Sequence, residues 1–117
     1  MFGKWPHYDS EQVEKASDVL SSGAVNAWTG VETNSFEREF SAFSGALHAC
    51  AVANGSLALS SAYLAIGLGV SDEIIITPRT FIATASSAVL LGAMPVFADV
   101  DFESGAITAK TIEPLIT

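Results

Sequence analysis

The apolar positions of this chain follow one rhythm up to about residue 45 and another beyond it. Asp9 followed three residues later by Gln12 is a capping-box pattern. Val13, Ala16, Val19 and Leu20 then share one face of a helix, with Glu11, Glu14, Lys15 and Asp18 elsewhere, and Gly23 is its stop. Residues 24–33 form a connecting loop holding Trp28 and a Thr29-Gly30 turn. A second helix is predicted to start at Asn34, with Glu37 as its capping partner, and to end at Gly45. Phe36, Phe40 and Phe43 fall at helical spacing in it, and this stripe is read as core packing rather than a ligand box.

From residue 46 the pattern alternates between short apolar runs and helix-length stretches. His48–Ala53 reads as a buried strand and Ser56–Gly67 as a helix, apolar almost all round and therefore buried. Glu73–Thr77 is a strand, Thr80–Leu91 a helix closed by Gly92, Pro95–Val100 a strand, and Thr108–Ile116 the start of another helix. Strands separated by helices of this length predict βαβ units and a mainly parallel sheet with flanking helices, an α/β fold. The expected organisation is a helical lead-in over about 1–45 and a βαβαβ unit over about 46–117. The chain stops at Thr117 inside a predicted helix and without a closing element, so it is read as a fragment.

Composition narrows the function classes. Half of the 117 residues are apolar and 15% are charged, the profile of a globular chain. A net charge of −8 with only five Lys and Arg argues against nucleic acid or an anionic membrane as partner. The long uncharged tracts 40–71 and 80–98 are broken by Gly, Asn, Ser and Pro and are read as interior elements, not membrane helices. The N-terminus lacks the apolar core of a secretion signal. The single Cys50 is read as a small buried hydrophobe, and without a second cysteine the chain suits a reducing, cytoplasmic setting.

Candidate chemistry gathers where ligands collect in open α/β sheets, at the carboxyl ends of strands. Asn54-Gly55-Ser56 joins a predicted strand to a helix N-terminus, whose unpaired N–H groups and dipole favour an anion such as phosphate. Phe81 follows the next strand, where its ring could stack on a flat cofactor or fill the core. Arg79 could neutralise phosphate, although pairing with a surface carboxylate is preferred. Asp99 and Asp101 point to opposite sides of a strand, which excludes a general acid/base pair; one of them is expected to cap a turn. His48 has no nucleophile near it in sequence and is read as structural or surface. No Walker A, GxGxxG, GxSxG or Cys/His metal spacing is present.

The series Phe36-Glu37-Arg38-Glu39-Phe40, Asn54-Gly55-Ser56-Leu57-Ala58-Leu59, Ala65-Ile66-Gly67, Asp72-Glu73-Ile74-Ile75, Thr80-Phe81-Ile82-Ala83-Thr84 and Gly92–Asp101 resembles the DegT/StrS-type aminotransferases. The resemblance covers the chain from about residue 9. It implies the N-terminal part of the large, cofactor-binding domain of the fold type I pyridoxal-phosphate transferases. The implied reaction is amination of a nucleotide-linked keto sugar for polysaccharide or secondary-metabolite synthesis, with an amino donor such as glutamate. The implied cofactor is pyridoxal 5'-phosphate, and the implied assembly a homodimer. By the same resemblance Gly55, Ser56 and Leu57 bind the cofactor phosphate and Phe81 stacks on its ring, while Trp28, Thr29 and Gly30 lie near the substrate. The family's Schiff-base lysine falls beyond Thr117, and Lys4, Lys15 and Lys110 do not match it. The 117 residues alone are therefore expected to be inactive. A sugar dehydratase of the same fold, with histidine in place of that lysine, and a non-catalytic phosphate-binding protein are the alternatives.

Overall fold

A computed structural model describes residues 5–117. The chain forms two compact units, one running to Ala51 and one from Val52 to Thr117.

The first unit holds two helices, α1 (Ser10–Ser22) and α2 (Glu32–Ser44). The capping box of α1 is present. Asp9 Oδ1 accepts from the Gln12 N–H at 2.9 Å, and Gln12 Oε1 accepts from the Asp9 N–H at 3.0 Å, which satisfies two end donors reciprocally. Gly23 and Gly45 close the two helices in the left-handed conformation, each at φ +71°. The start of α2 differs from expectation. It begins at Glu32 after an uncapped Val31, two residues before Asn34. Glu32 places its carboxylate in the first turn, where the helix dipole favours it, and Asn34 sits within the helix.

Two burial expectations fail in this unit. Phe36, Phe40 and Phe43 follow one another along α2 with ring centroids 5.7 and 6.3 Å apart. All three are exposed, Phe43 by 87%. Their spacing marks an apolar face, but spacing does not say what covers it, and no residue of α1 or α2 is buried. Cys50 is likewise exposed. The predicted strand His48–Ala53 is absent because its backbone has no ladder partner among the described residues. One of its donors is satisfied otherwise: the Ala51 N–H donates to Glu37 Oε1 at 2.8 Å. Glu37 thus serves Ala51 instead of capping its own helix.

The second unit runs α3 (Gly55–Ala65), β1 (Glu73–Ile76), α4 (Ala83–Leu90), β2 (Met94–Phe97), α5 (Ala109–Ile112) and a 3₁₀ turn at Glu113–Leu115. The strands pair in parallel, Glu73 with Met94 through Ile76 with Phe97, and α4 is the crossover helix. The Met94 and Ala98 N–H groups donate to the Asp72 and Ile76 carbonyls at 2.8 and 2.7 Å. By the period of two, the Pro95 nitrogen faces away from β1, where its missing N–H costs no ladder bond.

Small residues build the core of this unit: Ala83, Ala88, Ala93 and Ala98 are buried with Ile76. Of these, Ala83 and Ala88 lie on α4, the helix that packs against α3. The buried Ser87 hydroxyl donates to the Ser56 carbonyl at 3.3 Å, and the Tyr63 hydroxyl to the Thr84 carbonyl at 3.3 Å. The α3 helix is less covered than its composition predicts. None of its residues is buried, and Leu57 and Leu64 are exposed. Gly92 is required where it stands. Its φ is +87°, and a Cβ there would lie 2.6 Å from Val70 Cγ2.

Candidate cofactor site

Asn54 enters α3 in extended conformation, and its side-chain oxygen accepts from the Leu57 N–H at 3.0 Å. The cap therefore engages Leu57, while the Gly55 and Ser56 N–H groups have no intrahelical acceptor by position. A Cβ built on Gly55 would meet nothing within 4 Å. The helix start thus opens onto free space at Gly55, with two backbone donors free by position and the positive end of an 11-residue dipole. The Ser87–Ser56 hydrogen bond ties this first turn to the buried face of α4. Nothing in the turn conflicts with a phosphate group.

Phe81 lies after β1 and before α4, not in the helix's first turn as expected, because α4 begins only at Ala83. Its ring is 73% exposed. Of the two readings of this ring, core filling is thereby excluded within the chain as described. The segment bearing it is braced locally. Thr77 Oγ1 accepts from the Arg79 N–H at 3.1 Å, and the Thr80 and Thr84 hydroxyls lie 3.0 Å apart.

The surface-carboxylate pairing preferred for Arg79 is not made among the described residues. Arg79 Nη1 donates to the Gly105 carbonyl at 3.0 Å, in the turn that follows β2. That turn is organised by Asp101, whose Oδ1 accepts from both the N–H and the hydroxyl of Ser104 at 2.9 Å. The backbone hydrogen bond from Ser104, then the one from its hydroxyl, holds the Asp101 carboxyl below the usual aspartate value. The turn-capping expectation is met by Asp101. Asp99 accepts from the neighbouring Val100 N–H at 2.8 Å.

Trp28, Thr29 and Gly30 belong to the first unit. Asn26 Oδ1 accepts from the Trp28 and Thr29 N–H groups at 2.9 and 3.0 Å, an Asx turn. Gly30 follows tightly, since a Cβ there would lie 2.5 Å from the Ala24 carbonyl oxygen. The Trp28 side chain is 94% exposed. Thr29 and Gly30 instead line a groove of about 450 Å³ with Lys15, Asp18 and Glu32. Asn26 was not singled out from the sequence, although an Asn two residues before the Trp28-Thr29-Gly30 turn is a readable Asx signal. The Arg79–Gly105 contact spans 26 positions and has no local signal. His48 is exposed, as expected.

Comparison with known proteins identifies the family of this chain. Residues 6–117 match the model of the DegT/DnrJ/EryC1/StrS aminotransferase family. The chain is similar to 3-amino-5-hydroxybenzoate synthase of Amycolatopsis mediterranei, 38% identical over 116 residues, or 99% of this chain and 30% of that protein. It is also similar to the spore coat polysaccharide biosynthesis protein SpsC of Bacillus subtilis, 38% identical over 112 residues, or 96% of this chain and 28% of that one. Among solved structures it is similar to the aminotransferase of Psychrobacter cryohalolentis, with a TM-score of 0.94, 45% identity, and cover of 100% of this chain and 30% of that one. Solved relatives hold the pyridoxal cofactor in PLP and PMP forms. The chain thus spans about 30% of the length of the relatives it matches. Its sequence and its parallel βαβ fold agree: the chain belongs to the DegT/DnrJ/EryC1/StrS aminotransferase family.

Proposed function

We propose that this chain supplies the phosphate- and ring-holding part of a pyridoxal-phosphate-dependent aminotransferase acting on a nucleotide-linked keto sugar. The observation that carries the cofactor reading is the α3 start, where the Gly55 and Ser56 N–H groups have no intrahelical acceptor by position and a Cβ on Gly55 would meet only open space. When bound, pyridoxal phosphate supplies the electron sink that amino-group transfer needs. The residues of this chain bind and orient. The Gly55 and Ser56 N–H groups and the Ser56 hydroxyl hold the phosphate, with Leu57 completing the turn through its bond to Asn54. Phe81 offers its exposed face for stacking on the pyridine ring.

Trp28, Thr29 and Gly30 are assigned to the substrate side, and the working enzyme is proposed to be a homodimer using a donor such as glutamate. The sugar assignment is supported by the named role of SpsC in polysaccharide biosynthesis. The benzoate-derived name of the Amycolatopsis relative is its rival. Lys15 lies on α1 and Lys110 on α5, both exposed, and neither is proposed to anchor the cofactor. The 117 residues alone are accordingly proposed to lack turnover.

The test compares pyridoxal phosphate with pyridoxal, which lacks the phosphate, by absorbance titration of the full chain and of Ser56→Ala. The native protein should prefer the phosphorylated form strongly, and Ser56→Ala should reduce that preference about tenfold, the weight of one charge-assisted hydrogen bond. Equal affinity of the native protein for both compounds would refute the cradle.

A further inference from the structure

We propose that Arg79 is a positioning residue for Phe81. By holding the Gly105 carbonyl, its guanidinium clamps the turn after β1 to the turn after β2 and so sets where the ring stands. This inference rests on the stacking role proposed above for Phe81.

The first support is the bond itself, from Arg79 Nη1 to the Gly105 carbonyl oxygen at 3.0 Å. The second is that Gly105 is shaped for it. Its φ is +64°, a conformation that side chains rarely adopt, and a Cβ at this position would overlap the Arg79 guanidinium. The two positions are therefore matched: the glycine both turns the chain and clears the path for the arginine. The third is that each turn is also braced by hydrogen bonds of its own. Thr77 Oγ1 accepts from the Arg79 N–H, Asp101 Oδ1 takes both donors of Ser104, and the Gly105 N–H donates to the Asp101 carbonyl at 2.8 Å.

Both turns also leave paired strands at the same level, after Ile76 and Phe97, which face each other in register. A bond between two braced turns carries position across the sheet end. Phe81 needs such support, since its ring is mostly exposed and its own packing does not hold it. The Arg79 backbone lies two residues before it. The clamp thus governs the direction in which the 77–82 segment presents the ring.

The experiment is a double-mutant cycle in the full chain, with pyridoxal phosphate as the probe, read by absorbance titration and by the circular dichroism induced in the cofactor band. Phe81→Leu is expected to weaken binding and diminish the induced signal. Arg79→Met should weaken binding on the order of three- to tenfold, the range of one hydrogen bond, and reduce the same signal. In the Phe81→Leu background Arg79→Met should have no further effect, because it acts through the ring. Gly105→Ala should reproduce Arg79→Met from the other side of the contact, and Arg79→Lys should restore part of the signal. Should Arg79→Met fail to fold, as judged by far-ultraviolet circular dichroism, Gly105→Ala takes its place in the cycle. A neutral Arg79→Met beside a weakened Phe81→Leu overturns the clamp. Additive losses overturn it also, since they would make Arg79 an independent ligand of the cofactor. A neutral Phe81→Leu refutes the stacking role itself, and the positioning role falls with it.

Discussion

Replacing Gly55 by alanine separates the binding role of the α3 N-terminus from its structural role. The backbone at Gly55 does not occupy the left-handed region, and an added Cβ meets no atom within 4 Å. Alanine therefore fits, and by restricting the unfolded chain it should stabilise the fold by about 0.4–1 kcal/mol. The same methyl group is tilted toward the helix N-terminus, into the space from which an anion reaches the Gly55 and Ser56 N–H groups. Losing one charge-assisted bond there costs about 1.5–3 kcal/mol, or roughly ten- to 150-fold in affinity. The assay is a pair of titrations of the full chain, urea for stability and pyridoxal phosphate for binding, with pyridoxal as the control that should barely respond. Unchanged affinity for the phosphorylated cofactor would refute the reasoning. So would a loss of stability as large as the loss of binding, which would mean that the glycine serves the fold.

Three further outcomes follow from the geometry. Gly92→Ala should destabilise by about 2–3 kcal/mol, combining left-handed strain with overpacking against Val70. Adding Val70→Ala should recover only the packing part in urea unfolding, and full recovery would refute the strain component. Asp101 titrates below the ordinary value of 3.8 because Ser104 donates to its charged form. Its contribution to the 101–105 turn is thus complete above the unfolded value and lost as pH falls through the lower folded one. The Ser104 amide signal in NMR should follow that transition, with a midpoint at or above 3.8 counting against it. Finally, the 117-residue chain on its own should self-associate in size-exclusion chromatography, since Trp28, Phe43, Leu47 and Phe102 are each at least 87% exposed. A sharp monomer peak across a concentration series would contradict this.

What was legible in the sequence is what depends on neighbours along the chain. The Asp9–Gln12 box, the Gly23 and Gly45 stops, the Asn54-Gly55-Ser56 turn and the β1–α4–β2 order are all settled within a few residues, and all are present. Two local expectations shifted by two or three residues, the starts of α2 and α4, and the larger failures depend on partners elsewhere. Whether His48–Ala53 is a strand is decided by a ladder partner, and whether Phe36, Phe40, Phe43 and Cys50 are buried is decided by a covering surface. The family resemblance named the pieces of the cofactor site but could not show that Arg79 reaches Gly105. That contact is a product of strand register, which carries residues 26 positions apart to the same sheet end.

The place of Pro95 has a consequence for how this sheet can grow. Along β1 an incoming strand would meet an uninterrupted row of backbone donors and acceptors from Glu73 to Ile76. Along the outer side of β2 it would meet a gap, because the residue whose N–H should point outward has none. The two margins of the same small ribbon are therefore unequal. One is an unbroken template for extension and the other lacks a donor at Pro95, which disfavours a full ladder there and makes the β1 side the better one for a further strand.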